Sequence, residues 1–359
     1  MVDKKQMRNF EVPVILIVIA LTVIGILAIA SAKYSSGTFS FAMKQTVWAV
    51  VSMIVVFVVI SIDYNTIGSY SLYIYMVNIA LLVLVLVPGV GEIRNGARSW
   101  FGIGDFGIQP AEFAKIFVII TLAKHIDKIK EKNELGINRT KNLLLLCMHV
   151  AIPVVLILKE PDLGTAMVFA AIFSTMLFIG EIHYKYVIGA LTSVMAAVPL
   201  VYWFVLSPYQ KDRIRVFLNP NLDPKGKGYH VLQSKIAIGS GQVFGKGLFK
   251  GTQTQMGFLP EKHNDFIFAV IGEEMGFIWS ALIVVLFVLL LLRCIYLARS
   301  SRDLYGSLLI IGVTAMIAFH FLQNIGMTMG LVPVTGIPLP FVSYGGSSYL
   351  TNAIAIGLV

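Results

Sequence analysis

The sequence predicts an all-α polytopic membrane protein of about ten transmembrane helices, with a large extracytoplasmic loop between spans seven and eight. Three observations predict it. Of the 359 residues, 57% are hydrophobic and only 13% charged, about half the charged share of an ordinary soluble domain. Apolar windows long enough to cross a bilayer recur along the whole chain. Basic residues gather between those windows, most heavily in alternate short loops. A net charge of +9 would suggest nucleic acid as the partner of a soluble protein. Here the basic residues flank spans, so membrane lipids with anionic head groups are the expected partners and nucleic acid is not. The two cysteines, Cys147 and Cys294, lie far apart in or beside apolar runs, which argues against a disulfide or a thiolate metal site.

The first span covers 12–32. Lys4, Lys5 and Arg8 before it, and Ala30-Ser31-Ala32 at its end, imitate a signal peptide. The run is too long for a signal h-region and many spans follow, so it reads as uncleaved. Further spans fall near 46–62, 70–88, 109–126, 142–158, 163–180, 185–206, 265–292, 305–330 and 341–359. Only Lys159, Glu160, Pro161 and Asp162 separate the fifth and sixth, which makes them a tight hairpin. All of 1–359 forms one integral membrane domain. Lys and Arg in the N-terminal tail, after span four (Lys124, Lys128, Lys130, Lys132, Arg139, Lys141) and after span eight (Arg293, Arg299, Arg302) share one side. The positive-inside rule makes that side cytoplasmic, together with both termini.

The loop 207–264 breaks this bias, since it carries Lys211, Arg213, Arg215, Lys235, Lys246, Lys250 and Lys262 among its many basic residues. Long loops translocate regardless of charge. The charge suits either anionic head groups or a bound pyrophosphate. Its segment 236–247, IAIGSGQVFGKG, has glycines that permit close approach of backbone to a ligand. It matches neither the dinucleotide fingerprint nor the P-loop.

Asp265 stands where this polar loop gives way to an apolar segment. A carboxylate at membrane depth is costly and a functional candidate by default; the plainer reading is a helix N-cap. Glu112 and Lys115 open span four, three residues apart on one helix face and able to pair. They form either a structural ion pair or the lining of a polar cavity. In 336–348 two prolines and a Gly-Gly-Ser-Ser run exclude regular helix, giving a rigid turn or a substrate-lining re-entrant loop.

Taken together, segments 95–100 with 109–115, 160–165 (EPDLGT), 229–247, 258–276 and 336–348 resemble the SEDS family (shape, elongation, division and sporulation) of bacterial cell-wall glycosyltransferases. The resemblance covers essentially the whole chain, and the joint order of the motifs is what makes it specific. The run 251–255 (GTQTQ) before 258–261 (FLPE) is more similar to the elongation branch than to the division branch. Asn264 stands where Thr is expected, Ala111 where Ser is usual, and Ser99 where Arg is common, which removes one possible phosphate contact.

The resemblance implies a peptidoglycan glycosyltransferase in the bacterial cytoplasmic membrane. It would polymerise lipid II into β-1,4-linked glycan strands on the outer face, inverting the anomeric carbon and releasing undecaprenyl pyrophosphate. The implied partners are lipid II, the undecaprenyl-pyrophosphate-linked glycan and a class B penicillin-binding protein, a single-span transpeptidase. The reaction needs a base for the attacking hydroxyl and cations for the leaving pyrophosphate. Asp265 matches the family's essential Asp and is the expected catalytic base, its pKa raised by desolvation at the membrane edge. Arg98 and Lys115 are the leading cations, with Glu112 holding Lys115, and Arg213, Arg215 and Lys235 in reserve. Gln255, His263 and Ser343 lie in the matched motifs and complete the implied substrate-binding set. No compact metal-ligand cluster is visible, although a divalent cation such as Mg2+ could share the leaving-group role. Spans eight and nine are richly apolar, with no charged residue over 277–292, a surface suited to a partner helix. The competing classes are a polytopic transporter, most sharply a lipid II flippase, and a non-catalytic scaffold for wall synthesis.

Overall fold

A computed structural model describes residues 11–34, 39–94, 97–103, 106–132, 136–189, 192, 201–205, 208–219, 223, 226–259 and 261–359. Lys4, Lys5, Arg8, Asn95, Gly96, Lys225 and much of the expected seventh span lie outside the described residues, as does the side chain of Arg213.

The helices are α1 Val12–Ala32, α2 Ser40–Ile60, α3 Tyr64–Ser69, α4 Ser71–Leu86, α5 Pro110–Lys132, α6 Thr140–Lys159 and α7 Leu163–Ile179. There follow α8 Pro208–Leu218, α9 Lys227–Ser240, α10 Thr252–Gln255, α11 Ile267–Glu274, α12 Gly276–Arg299, α13 Leu304–Thr328 and α14 Gly346–Gly357. Among the described residues, α1, α2, α6, α12 and α13 are long and apolar enough to cross a membrane, and α4 and α7 are shorter apolar helices. The polytopic helical architecture holds. Among the described residues, a small antiparallel sheet lies between α4 and α5, made of β1 Glu92–Arg94, β2 Ala97–Ile103 and β3 Phe106–Ile108 in the order β1-β2-β3.

Three expected spans change shape. Span four runs on to Lys132, so the basic stretch beyond residue 126 is helical. Span eight is two helices, broken where Gly276 takes φ +76°, a backbone region that side chains with a Cβ rarely adopt. The last helix begins only at Gly346, because 336–345 is a non-helical loop. That loop is buried: Ile337, Leu339, Phe341 and Val342 are core residues. Val342 lies so close to α1 that a Cβ on Gly25 would sit 2.6 Å from its carbonyl oxygen. The expected long loop 207–264 also holds helices α8, α9 and α10, and Ser234 Oγ of α9 donates to Thr328 O at the end of α13, 2.7 Å.

Helix α13 is the axis of the bundle. It packs on α5, α7 and α12, and most of its residues are buried. By contrast α2 and α12 show long apolar faces to the surroundings, as helices in lipid do.

Candidate active site

Pro110 opens α5, a favourable first position because its missing N–H has no partner to lose there. The first turns then carry Glu112 and Lys115 inward. Lys115 Nζ donates to Glu112 Oε1 at 2.8 Å and lies 3.2 Å from His320 Nε2 of α13. Glu112 is 5% exposed, Lys115 1% and His320 1%. The expected pair is therefore present, but as a buried cluster of three rather than the wall of an open cavity. Among the described residues Glu112 Oε2 and His320 Nδ1 have no hydrogen-bond partner.

One turn along α13, Asn324 Nδ2 donates to Asp265 O at 2.9 Å and to Ile337 O at 2.8 Å. The Asp265 carboxylate borders Gly336, where a Cβ would come within 3.3 Å of Oδ2. Its neighbours are tied to the same loop. Ser343 Oγ donates to Asn264 O at 2.7 Å and accepts from Leu339 N at 2.8 Å. Tyr344 N donates to His263 O at 2.9 Å, and Gln45 Nε2 of α2 donates to Ser343 O at 3.3 Å. Helix α13, the 336–345 loop and α2 thus fix the backbone on either side of Asp265. The N-cap of α11 is Phe266, one residue beyond Asp265.

The His263 ring packs on Phe41 and Tyr344, with centroids at 5.2 and 5.7 Å. Burial, then the charges of Lys33 and Lys262, push its pKa down to about 4. It is a neutral imidazole at ordinary pH. On the α6–α7 hairpin, Asp162 accepts from Thr165 N at 2.9 Å and caps α7, and Gln109 Nε2 reaches its Oδ2 at 3.5 Å. Beside it Glu160 is 0% exposed, with neither carboxylate oxygen partnered. Burial, then Asp162, raise its pKa to about 8.

The remaining sequence candidates are placed elsewhere. Gln255 spends its amide nitrogen on Glu274 Oε1, 2.9 Å, and Ser31 O, 3.0 Å. Ser343 is a backbone tie rather than an open hydroxyl. Arg98 stands half-exposed on β2, paired in register with Ile93. Arg215 answers Asp212 of its own helix at 3.7 Å, with both side chains exposed. Lys235 is exposed on α9 and lies over Gly330, where a Cβ would meet its Nζ at 2.6 Å.

Two glycines of 236–247, Gly241 and Gly245, serve the protein's own backbone contacts. A Cβ on Gly241 would lie 1.8 Å from Gly272 O, and one on Gly245 2.2 Å from Glu274 O. They let this turn press onto the α11–α12 junction, where Lys246 N and Gly247 N donate to Glu273 O and Glu274 O. The two glutamates, unremarked in the sequence, organise the turn. Glu273 accepts from Lys246 Nζ at 2.8 Å, Gln253 N at 2.8 Å and Thr254 N at 2.9 Å. Glu274 accepts from Phe249 N at 3.1 Å, Gly251 N at 3.2 Å and Ser31 Oγ. Sequence reasoning also missed His320 and Asn324. Their signal was available: two polar residues four apart in an apolar helix share a face, and such residues inside a membrane are rarely idle. Among the described residues, no group of three or more His, Cys, Asp or Glu side chains could hold a metal ion.

Comparison with known proteins gives a consistent picture. A family model described as a cell cycle protein, of FtsW, RodA and SpoVE, matches residues 11–359. Stage V sporulation protein E of Bacillus subtilis (strain 168) is 40% identical over 96% of this chain and 94% of its own length. The peptidoglycan glycosyltransferase RodA of Treponema pallidum (strain Nichols) is 34% identical over 99% of this chain and 98% of its own length. A chain in a solved peptidoglycan synthase complex, which coordinates polymerization and crosslinking, superimposes with a TM-score of 0.83. It is 28% identical and covers 98% of this chain and 96% of its own.

Proposed function

The chain belongs to the FtsW, RodA and SpoVE family, the SEDS glycosyltransferases that its motifs resemble, and from that premise we propose a specific reaction for it. It is a peptidoglycan glycosyltransferase that polymerises lipid II into β-1,4-linked glycan on the outer face of the cytoplasmic membrane, in the elongation branch. The termini are cytoplasmic, and the end of the bundle that bears Asp265 faces outward.

The observation that carries this reading is the convergence on Asp265. Helix α13 and the 336–345 loop, itself held by Gln45 of α2, tie down the backbone of 263–265, and the Asp265 carboxylate borders Gly336 of that loop. In the reaction, the Asp265 carboxylate takes the proton of the attacking sugar hydroxyl as its oxygen bonds to the anomeric carbon. The carbon–oxygen bond to the lipid pyrophosphate breaks on the opposite face, and its electron pair leaves with the phosphate. Direct displacement accounts for inversion. The pyrophosphate is a good leaving group and needs cations more than an acid. Arg98, half-exposed, meets it directly, while buried Lys115 supplies positive potential from beneath. A divalent cation such as Mg2+ would bind mainly through the substrate phosphates, its usual mode with such ligands.

The test is a purified-protein assay with lipid II. Asp265→Asn should fold and bind lipid II but lose polymerisation by about 10²-fold or more. Near-normal polymer from a folded Asp265→Asn variant would remove this carboxylate from the mechanism. Arg98→Ala should lower the rate strongly, and Lys128→Ala, placed at the other end of α5, should not.

The class B penicillin-binding protein docks on α12. Of the two apolar spans expected to form that surface, α13 is buried and only α12 presents an apolar face, including Ile278, Leu282 and Val285. Cysteines at these three positions should crosslink the partner's single helix, and a cysteine at Val55 on α2 should not. Crosslinks found only at Val55 would move the interface to the other face.

A further inference from the structure

We infer that His320 is a positioning residue for the polymerisation reaction: it holds the Lys115 ammonium in register with Asp265 through the single helix α13. This rests on the functional reading above, which uses Lys115 and Asp265 but gives His320 no part.

The chemistry of the contact fixes the proton. An ammonium has only donors, so His320 Nε2, 3.2 Å from Lys115 Nζ, must accept. The imidazole is therefore neutral and carries its proton on Nδ1. That nitrogen is buried and has no partner, which costs free energy. A histidine placed only to fill the core would gain nothing from this arrangement, because an apolar residue of similar size fills the space without the orphaned donor. The contact with Lys115 is what the arrangement provides.

The register follows from the helix. His320 and Asn324 are four apart, so they share one face about 6 Å from each other along the axis. Asn324 holds the backbone of Asp265 at 2.9 Å, and His320 the Lys115 ammonium at 3.2 Å. Glu112 alone cannot fix that ammonium relative to Asp265, because both Glu112 and Lys115 ride on α5. His320 supplies the link from α5 to α13, the helix whose Asn324 holds the backbone of the base. A misplacement of about 1 Å at a reacting site can cost 10²-fold in rate, so this link bears on turnover more than on binding.

The experiment compares His320→Leu with His320→Gln in the lipid II assay, with unfolding followed for both. His320→Gln keeps an acceptor oxygen, and should retain turnover within a few fold. His320→Leu should lower kcat by roughly ten- to a hundredfold, the size expected for one hydrogen bond to a charged group, with KM little changed. Should the Leu variant fail to fold, His320→Met keeps the comparison. Wild-type turnover in the apolar variant, or equal losses in the apolar and Gln variants, would overturn the inference. A second readout needs no activity. In ¹⁵N-histidine spectra of the wild type, His320 should show the Nδ1–H tautomer, and its Nε2 resonance should move in Lys115→Met. An unmoved Nε2 signal would overturn the contact itself. A wild type that makes no polymer would end the functional reading along with this one. A working wild type with an indifferent His320 ends this one alone.

Discussion

Helix α5 carries two lysine–acid pairs of the same spacing, Lys115 with Glu112 near its start and Lys124 with Asp127 about three turns further on. Their lengths are nearly equal, 2.8 and 2.7 Å. Their surroundings are not. The side chains of the first pair are 1% and 7% exposed, and those of the second 21% and 11%. Lys124 also lies over the Tyr305 ring, 5.0 Å from its centroid, with solvent left for its remaining donors. Among the described residues Lys115 bonds to Glu112 and lies against His320, each with an unpartnered atom of its own. A buried ion pair gains little net stability over an apolar replacement, because desolvation offsets most of the attraction. The same geometry thus describes a contact that water still reaches in one place and a fully desolvated charge in the other.

The strongest way to break this comparison is to remove each lysine in turn. Lys115→Ala strands the buried Glu112 carboxylate and should cost about 3–5 kcal/mol of stability. It should also reduce polymerisation by roughly 10²–10³-fold if the ammonium stabilises the leaving group. Lys124→Ala leaves Asp127, 8% exposed, without its cation, so it should cost less than Lys115→Ala but more than the ~1 kcal/mol of an exposed pair, and leave polymer yield within about twofold. Thermal unfolding and the lipid II assay measure both. Equal losses at the two positions would show that α5 needs positive charge in general rather than a cation at Lys115.

The Glu112–Lys115 pair was open to sequence reading, because an i, i+3 spacing on a helix settles neighbourhood by geometry alone, whereas Lys124 and Asp127 straddle the expected end of span four at 126 and were not read as a pair. Burial was not open to such reading. Lys115 meets His320 across 205 residues of chain, and no local pattern encodes a contact of that range. Asp265 and the loop 336–345 were each legible as unusual segments, through a carboxylate at an apolar edge and a Pro/Gly run. Their union depends on Asn324, Ser343 and Tyr344 hydrogen bonds between distant segments. The glycines at 241 and 245 show the opposite failure. Their need for close backbone approach was correctly read, but the partner is the protein's own α11–α12 junction. The strands at 92–94 and 106–108 have three residues each, too few for a period of two to be recognised. The span count came from hydropathy, which reports length in lipid and is blind to a break such as that at Gly276.

Glu160 sharpens the comparison as a limiting case, an acid as buried as Glu112 but without a cation partner among the described residues. Its pKa is raised from 4.5 to about 8 by burial and then by Asp162. Below about pH 4.5 it is protonated in both folded and unfolded chains and costs nothing. As pH rises, the unfolded chain releases its proton first, so stability falls progressively until the folded group also ionises near 8. The loss at pH 7 should be roughly 3 kcal/mol. Glu160→Gln should flatten the decline in unfolding midpoint between about pH 5 and pH 8. If the Glu160→Gln curve keeps the wild-type slope, another group titrates in this range and Glu160 has a partner in solution.

The smallest effect separates the two pairs by their response to salt. Asp127→Asn leaves Lys124 its contact with Tyr305 and its access to water, so the change should cost less than about 1 kcal/mol. At 1 M salt the screening length is only about 3 Å, and the difference from wild type should shrink towards zero. Glu112→Gln removes the carboxylate from a site that salt does not reach, so its effect on unfolding should be nearly the same at about 0.1 M and 1 M. Unfolding curves for the two variants at these two concentrations decide the matter. Salt sensitivity at both positions would mean that water reaches Lys115 in the working protein. The ammonium could then meet the pyrophosphate directly, in place of acting on it from beneath.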